Sequence, residues 1–133
     1  MTVARTCSAA LMRGTGHVIE IEADIADGPA GMSLAGLPDT ARDRIRAAIV
    51  NSGEPWPQQA ITVRFSRARP PGYSSALDTA VAIAVLAAAG AVPEAAVDGV
   101  MFFAELGLDG RLRPTEGVLP AVTAARAAGS GTV

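Results

Sequence analysis

The chain has 133 residues, 50% of them apolar, a formal net charge of −2 and a pI near 5.3. That is enough for a single domain burying roughly two-thirds of the surface its unfolded chain exposes. The acidic balance argues against a generally basic nucleic-acid binder, and any local basic patch must be arginine, because lysine is absent.

Residues Val3 to Met12 mix β-branched and small residues and form a strand candidate, followed by a turn at Arg13-Gly14-Thr15-Gly16. His17 to Ile25 alternates, with Val18, Glu20, Glu22 and Asp24 on a wet, acidic face and Ile19, Ile21, Ala23 and Ile25 on the other. After a turn at Asp27-Gly28-Pro29, Met32 to Ala35 reads as a short strand. Gly36-Leu37-Pro38-Asp39 ends it and opens a helix that runs to about Ser52 and stops at Gly53. Ala41, Ile45, Ala48 and Ile49 mark its buried stripe and leave Arg42, Asp43, Arg44 and Arg46 mostly outward. Beyond the loop Glu54-Pro55-Trp56-Pro57, Ile61, Val63 and Phe65 alternate with Thr62, Arg64 and Ser66 as a further strand.

The stretch Arg67 to Gly90 joins a tight polar loop to the most apolar helix candidate. Ser75, with Asp78 three residues on, fits a capping box, and the residues from Thr79 to Ala89 leave no polar face, as expected of a buried helix. Pro93-Glu94 marks a turn, Val100 to Leu106 a buried strand, and Asp109-Gly110 between Leu108 and Leu112 a hairpin. Gly117 to Ala128 reads as a final helix with Val118, Leu119 and Val122 facing inward. Thr132-Val133 then reads as a strand cut short. Two helices, an early antiparallel meander and a later hairpin suggest an α/β or α+β layer with helices on one face.

Little in the chain carries catalytic chemistry. Without lysine there is no lysine general base, Schiff base or P-loop phosphate ligand. His17 stands alone as a surface residue at a strand edge, Cys7 reads as a small buried hydrophobe with no disulfide partner, and metal-ligand spacing is lacking. Ser74 and Ser75, in a loop before a helix, could supply a nucleophile or an anion nest, against the simpler role of a cap. Glu20, Glu22 and Asp24 read as a solvated face, and Asp78 and Glu105 as a cap and a buried polar contact. Arg64, Arg67 and Arg69 cluster locally, with Arg111 and Arg113 on the hairpin; they either meet phosphate or an acidic surface, or are scattered solvated arginines. Only spatial convergence of the two groups separates these readings. The longest apolar run, Ala80 to Val92, falls well short of the ~20 residues that span a bilayer, so no membrane partner is expected, and the single cysteine with no signal-type run at the N-terminus makes a cytoplasmic location the expectation.

Three runs, GLPDTARDRIRAAIVNSG, ITVRFSRARPPGYSSALDTAVAIAVLAAAG and FFAELGLDGRLRPTEGVLPAVTAARAAG, carry Gly36-Leu37-Pro38, Asn51-Ser52-Gly53, Leu77-Asp78, Gly107-x-x-Gly110-x-Leu112-Arg113-Pro114 and Gly117-Val118-Leu119-Pro120 in order. Together they resemble the N-terminal domain of the magnesium-chelatase-like AAA+ ATPases, the YifB/ComM family. The resemblance implies one domain over residues 1–133 with a fold similar to the Lon protease domain and ribosomal protein S5 domain 2, one mixed sheet with helices packed on it. It also implies a longer protein with a P-loop AAA+ module outside this chain, binding ATP and Mg2+, assembling as a hexamer and driving work on branched DNA in natural transformation. No cofactor is expected on this chain itself, and metal insertion is not expected.

Laid on the Lon pattern, Ala76 takes the place of the nucleophilic serine and Leu119 that of its lysine. The resemblance therefore implies a noncatalytic accessory domain for assembly or DNA guidance rather than a divergent Ser/Lys hydrolase. A stand-alone nucleic-acid-binding module of the ribosomal type is a further alternative. Where relatives commonly read N-L-A-P-A-D, this chain has Arg64-Phe65-Ser66-Arg67-Ala68-Arg69, which points to contact with branched or single-stranded DNA or to a subunit interface.

Overall fold

The computed structural model describes residues 2–34, 36–66 and 74–133. Two long strands, β1 (Thr2–Met12) and β2 (Thr15–Ala26), form an antiparallel hairpin in which Met12 pairs with Thr15. The turn is thus confined to Arg13-Gly14, both with positive φ (50° and 78°), the backbone that matches the right-handed twist of a two-residue hairpin. Thr15 and Gly16, expected in the turn, already belong to β2.

β3 (Gly31–Leu34) leads through α1 (Asp39–Asn51) to β4 (Ala60–Phe65). The sheet order is β1-β2-β4-β3, with β4 antiparallel to β2 and parallel to β3. The expected meander is therefore broken by a crossover, since parallel neighbours need a long connection and α1 supplies it. β4, with Ile61 and Val63 buried, takes the interior place; the short β3, with a glycine and an exposed serine, takes the edge.

One face of the sheet carries the main core. Ala4, Ala10, Ile19, Ile21, Ala23, Ile25, Ile61 and Val63 pack under α1 and α2 (Asp78–Ala88). On α1 the buried residues are Ala41, Ile45, Ala48 and Ile49, the stripe read from the sequence. α2 is buried along most of its length. Thr6 Oγ1 of β1 donates to the Ala80 carbonyl at 2.8 Å, and Thr79 Oγ1 to that of Ala104 at 2.8 Å, so both buried threonine hydroxyls are satisfied.

A one-turn helix, α3 (Glu94–Val97), follows α2, where a turn was expected. The stretch expected as one buried strand from Val100 to Leu106 is divided. Val100 and Met101 make single parallel bridges to Thr132 and Cys7, and only Glu105–Leu106 forms a strand, β5, paired with β6 (Leu112–Arg113). The Phe102 amide donates to the Cys7 carbonyl at 2.8 Å, so the outer edge of β1 is paired at that one point.

α4 (Val118–Ala127) corrects two expectations. It lies on the opposite face of the sheet, where Ala121 and Ala125 pack with Ala9, Met101, Val18 and Phe103, so helices occupy both faces. Val118, Leu119 and Val122 point outward, 48, 76 and 39% exposed. The reason is close approach: a Cβ on Gly16 would sit 2.5 Å from the Pro120 carbonyl oxygen, and a helix that near the strand accepts alanine, not leucine, beneath it.

Candidate functional site around the head of the buried helix

The helix that was expected to begin in a capping box begins differently. Ser75–Leu77 forms a single 3-10 turn, and the α-helix starts at Asp78. Ser74, not Ser75, caps that turn, its hydroxyl accepting from the Ala76 amide at 3.3 Å. The Ser75 hydroxyl instead donates to the Glu105 carboxylate on β5. Asp78 does not fold back to a cap: with no exposed side-chain surface, it takes a 2.7 Å contact from the Arg44 guanidinium on α1. A charge buried this completely is tolerated because it is paired, and the positive end of α2 favours it further.

The sequence pattern leaves Arg44 mostly outward, and the structure draws it in toward Asp78. Ala41, Arg44, Ile45 and Ala48 stand at i, i+3, i+4 and i+7, so helical spacing placed Arg44 on the buried stripe all along; its charge masked that signal. The head of α2 is thus a knot of Arg44, Asp78, Ser75 and Glu105, and Glu105 pairs across the hairpin with Arg113.

The hairpin is held against the end of α1. Asn51 Nδ2 donates to the Leu108 carbonyl at 2.7 Å. Gly110, at φ 85°, lies so close that a Cβ there would collide with Ser52 Oγ and stand 2.9 Å from the Ala48 carbonyl oxygen. Within the turn Asp109 accepts from the Arg111 amide at 3.0 Å and pairs with Arg113 at 3.2 Å. That amide first, and then the two arginine charges, hold the Asp109 carboxyl below its ordinary value.

Arg64 lies elsewhere. On the α4 side of the sheet, at exposed positions, Arg5, Glu22 and Arg64 stand side by side across β1, β2 and β4. Arg5 reaches Glu22 at 3.0 Å, and Arg64 reaches Glu22 at 3.5 Å and Asp24 at 4.0 Å. The acidic face of β2 is therefore an ion-pair ladder rather than a bare solvated face. Arg64 and the hairpin arginines sit on opposite sides of the sheet and do not converge; Arg67 and Arg69 lie outside the described residues. Arg111 makes no ion pair among the described residues.

Of the other motif positions, Gly36 is a turn residue with φ 82°, Leu37 packs against the core and Pro38 is the extended residue preceding α1. Pro114 is exposed after β6, Gly117 precedes α4 with φ 81°, and Pro120 lies in its first turn. Ala76 is fully buried, whereas Leu119 is 76% exposed on α4. Cys7 is half-buried rather than buried; burial first, and then the Glu20 charge, push its thiol up. Among the described residues no group of His, Cys, Asp and Glu could hold a metal, and no helix is long and apolar enough to cross a membrane.

The family model for subunit ChlI of Mg-chelatase matches residues 21–133. An uncharacterised protein of Mycobacterium tuberculosis is 45% identical over 130 residues, covering 95% of this chain and 26% of that protein. The competence protein ComM of Haemophilus influenzae is 35% identical over 130 residues, 95% of this chain and 26% of that protein. An Escherichia coli protein, the uncharacterised YifB, is 37% identical over 111 residues, 80% of this chain and 22% of that protein. The chain thus spans about a quarter of the length of the curated relatives it matches. With the match running from β2 to Val133, through the Asn51-Ser52 and Gly110 contact, this chain belongs to the magnesium-chelatase-like family that includes ComM and YifB.

Proposed function

We propose that the chain is a noncatalytic accessory domain of a magnesium-chelatase-like AAA+ ATPase that works on DNA in the cytoplasm, and that its task is assembly with the motor module and with further copies. ATP and Mg2+ belong to the motor in this reading. The observation that carries it is α4: its alanines are spent on the sheet, and Val118, Leu119 and Val122 are presented to solvent. An outward valine and leucine stripe is the kind of surface that association covers. The likeness to ComM, a competence protein, supports work on DNA in transformation.

A role without catalysis rests on Ala76 and Leu119, neither of which can supply a Ser/Lys pair. The experiment compares the full-length protein with its Leu119→Glu variant by light scattering and ATP turnover. A smaller assembly with the monomer still folded is expected, and an unchanged assembly mass overturns the reading. Hydrolysis of an unfolded protein that is abolished by Ser75→Ala would overturn the noncatalytic part.

DNA guidance is the second reading, and Arg111 favours it, being exposed and without an ion pair among the described residues. Salt-dependent binding to branched DNA that is lost when Arg64, Arg67 and Arg69 become alanine supports it; no binding at low salt removes it.

A further inference from the structure

The two edges of the main sheet are finished differently. The edge at β1 is met by the chain itself at Cys7, through the Phe102 amide and the bridge from Met101. The edge at β3 has no neighbour among the described residues. The Gly31 amide donates to the Gln59 carbonyl at 3.3 Å, which turns the backbone groups of Gly31 and Ser33 toward β4. Alternation then turns the N–H and C=O of Met32 and Leu34 outward, where they can pair with one more extended chain.

Beside this edge runs a groove of about 350 Å³ between β3, α1 and the loop before β4, lined by Gly31, Met32, Arg42, Arg46 and Trp56 among others. Arg46 lies over the Trp56 ring, 5.8 Å from its centroid, and has no ion pair among the described residues. The ring fixes the guanidinium without neutralising it. Arg42 is the second cation; its partner Asp39 stands 3.4 Å away with its side chain 87% exposed, a weak and exchangeable contact. Asp43, also in the lining, forms no ion pair with either arginine. An open strand edge demands an extended backbone as its partner, and an arginine clamped on an aromatic ring selects a carboxylate.

We propose that the groove between the β3 edge and α1 docks an extended, acidic peptide segment of a partner protein, which adds to the sheet beside β3 and sets a carboxylate on Arg46. This goes beyond the assembly role of α4, which lies on the other face of the sheet.

The test titrates the 133-residue chain with a fluorescein-labelled decapeptide alternating valine and threonine and carrying two glutamates, and with its counterpart carrying two lysines. Saturable binding of the glutamate peptide is expected, with the lysine peptide about tenfold weaker or more, the loss of one charge-assisted contact. Arg46→Gln, at an exposed position, should bring the glutamate peptide to the level of the lysine peptide. Amide hydrogen exchange read by NMR gives the second arm: binding should slow exchange at Met32 and Leu34 and leave Gly31 and Ser33 as they were. Equal binding of the two peptides, binding by neither, or unchanged exchange at Met32 overturns the proposal.

Discussion

Two arginine-carboxylate contacts in this domain join neighbouring elements and differ both in length and in what surrounds them. Arg44 and Asp78 meet at 2.7 Å with the carboxylate wholly buried, whereas Arg64 and Glu22 meet at 3.5 Å with the arginine side chain 59% exposed. In the first, a carboxylate wholly out of water needs compensating charge beside it; in the second, water and salt stand ready to replace the exposed arginine. The buried contact joins α1 to the head of α2 and so has structural leverage, and the exposed one only orders a strand face.

The sharpest way to break this comparison is Arg44→Met, which takes the guanidinium away from a wholly buried carboxylate. A loss of about 3 kcal/mol or more in chemical unfolding is expected. If the domain then fails to fold, the paired change Arg44→Met with Asp78→Leu should recover much of the loss, because it removes both charges together. Next in size is Gly16→Val, which forces a side chain into the Pro120 carbonyl and should cost about 1–3 kcal/mol by overpacking, with α4 loosened first in hydrogen exchange. Arg64→Ala should cost less than about 1 kcal/mol, and the difference should shrink further in high salt. A pronounced loss there would mean that the sheet face is not as wet as its exposure indicates.

The smallest effects concern titration. Asp109 has a depressed carboxyl, so its contribution is present at neutral pH and disappears as pH falls through its folded value, below the ordinary carboxylate range. Asp109→Asn should remove that acid-side change from the hairpin amide shifts. Cys7 has the opposite tendency: with its thiol pushed up it should react more slowly with a disulfide reagent at neutral pH than free cysteine does, and unfolding should abolish the difference.

Much of the architecture was legible wherever periodicity and burial agree. The alternation of β2 and the stripe on α1 needed no tertiary knowledge, because in each the apolar residues repeat at the period of the element. α4 was misread for a physical reason: size and hydrophobicity suggested that Val118, Leu119 and Val122 face inward, but a helix backbone close to Gly16 leaves room only for methyl groups. The Ser75-x-x-Asp78 spacing is the same whether the carboxylate folds back on its own turn or reaches another helix, and nothing local distinguishes them. The order of β3 and β4 was illegible because a crossover is decided by which strand has two partners. At the candidate site the expected buried polar contact of Glu105 is a polar contact at a partly buried position, and Arg44, hidden by its charge on a buried stripe, was missed.

The contact of Gly110 with Ser52 and Ala48 changes how two separated sequence motifs should be read. Asn51-Ser52-Gly53 and Gly107-x-x-Gly110 are far apart along the chain and adjacent in space, joined as tenon and mortise. Neither half has much to do alone, so natural variation should alter them together or leave both untouched. A side chain at position 110 would do more than crowd a helix end: it would loosen the hairpin from the body of the domain, and Arg111 and Arg113 would lose their fixed bearing on α1.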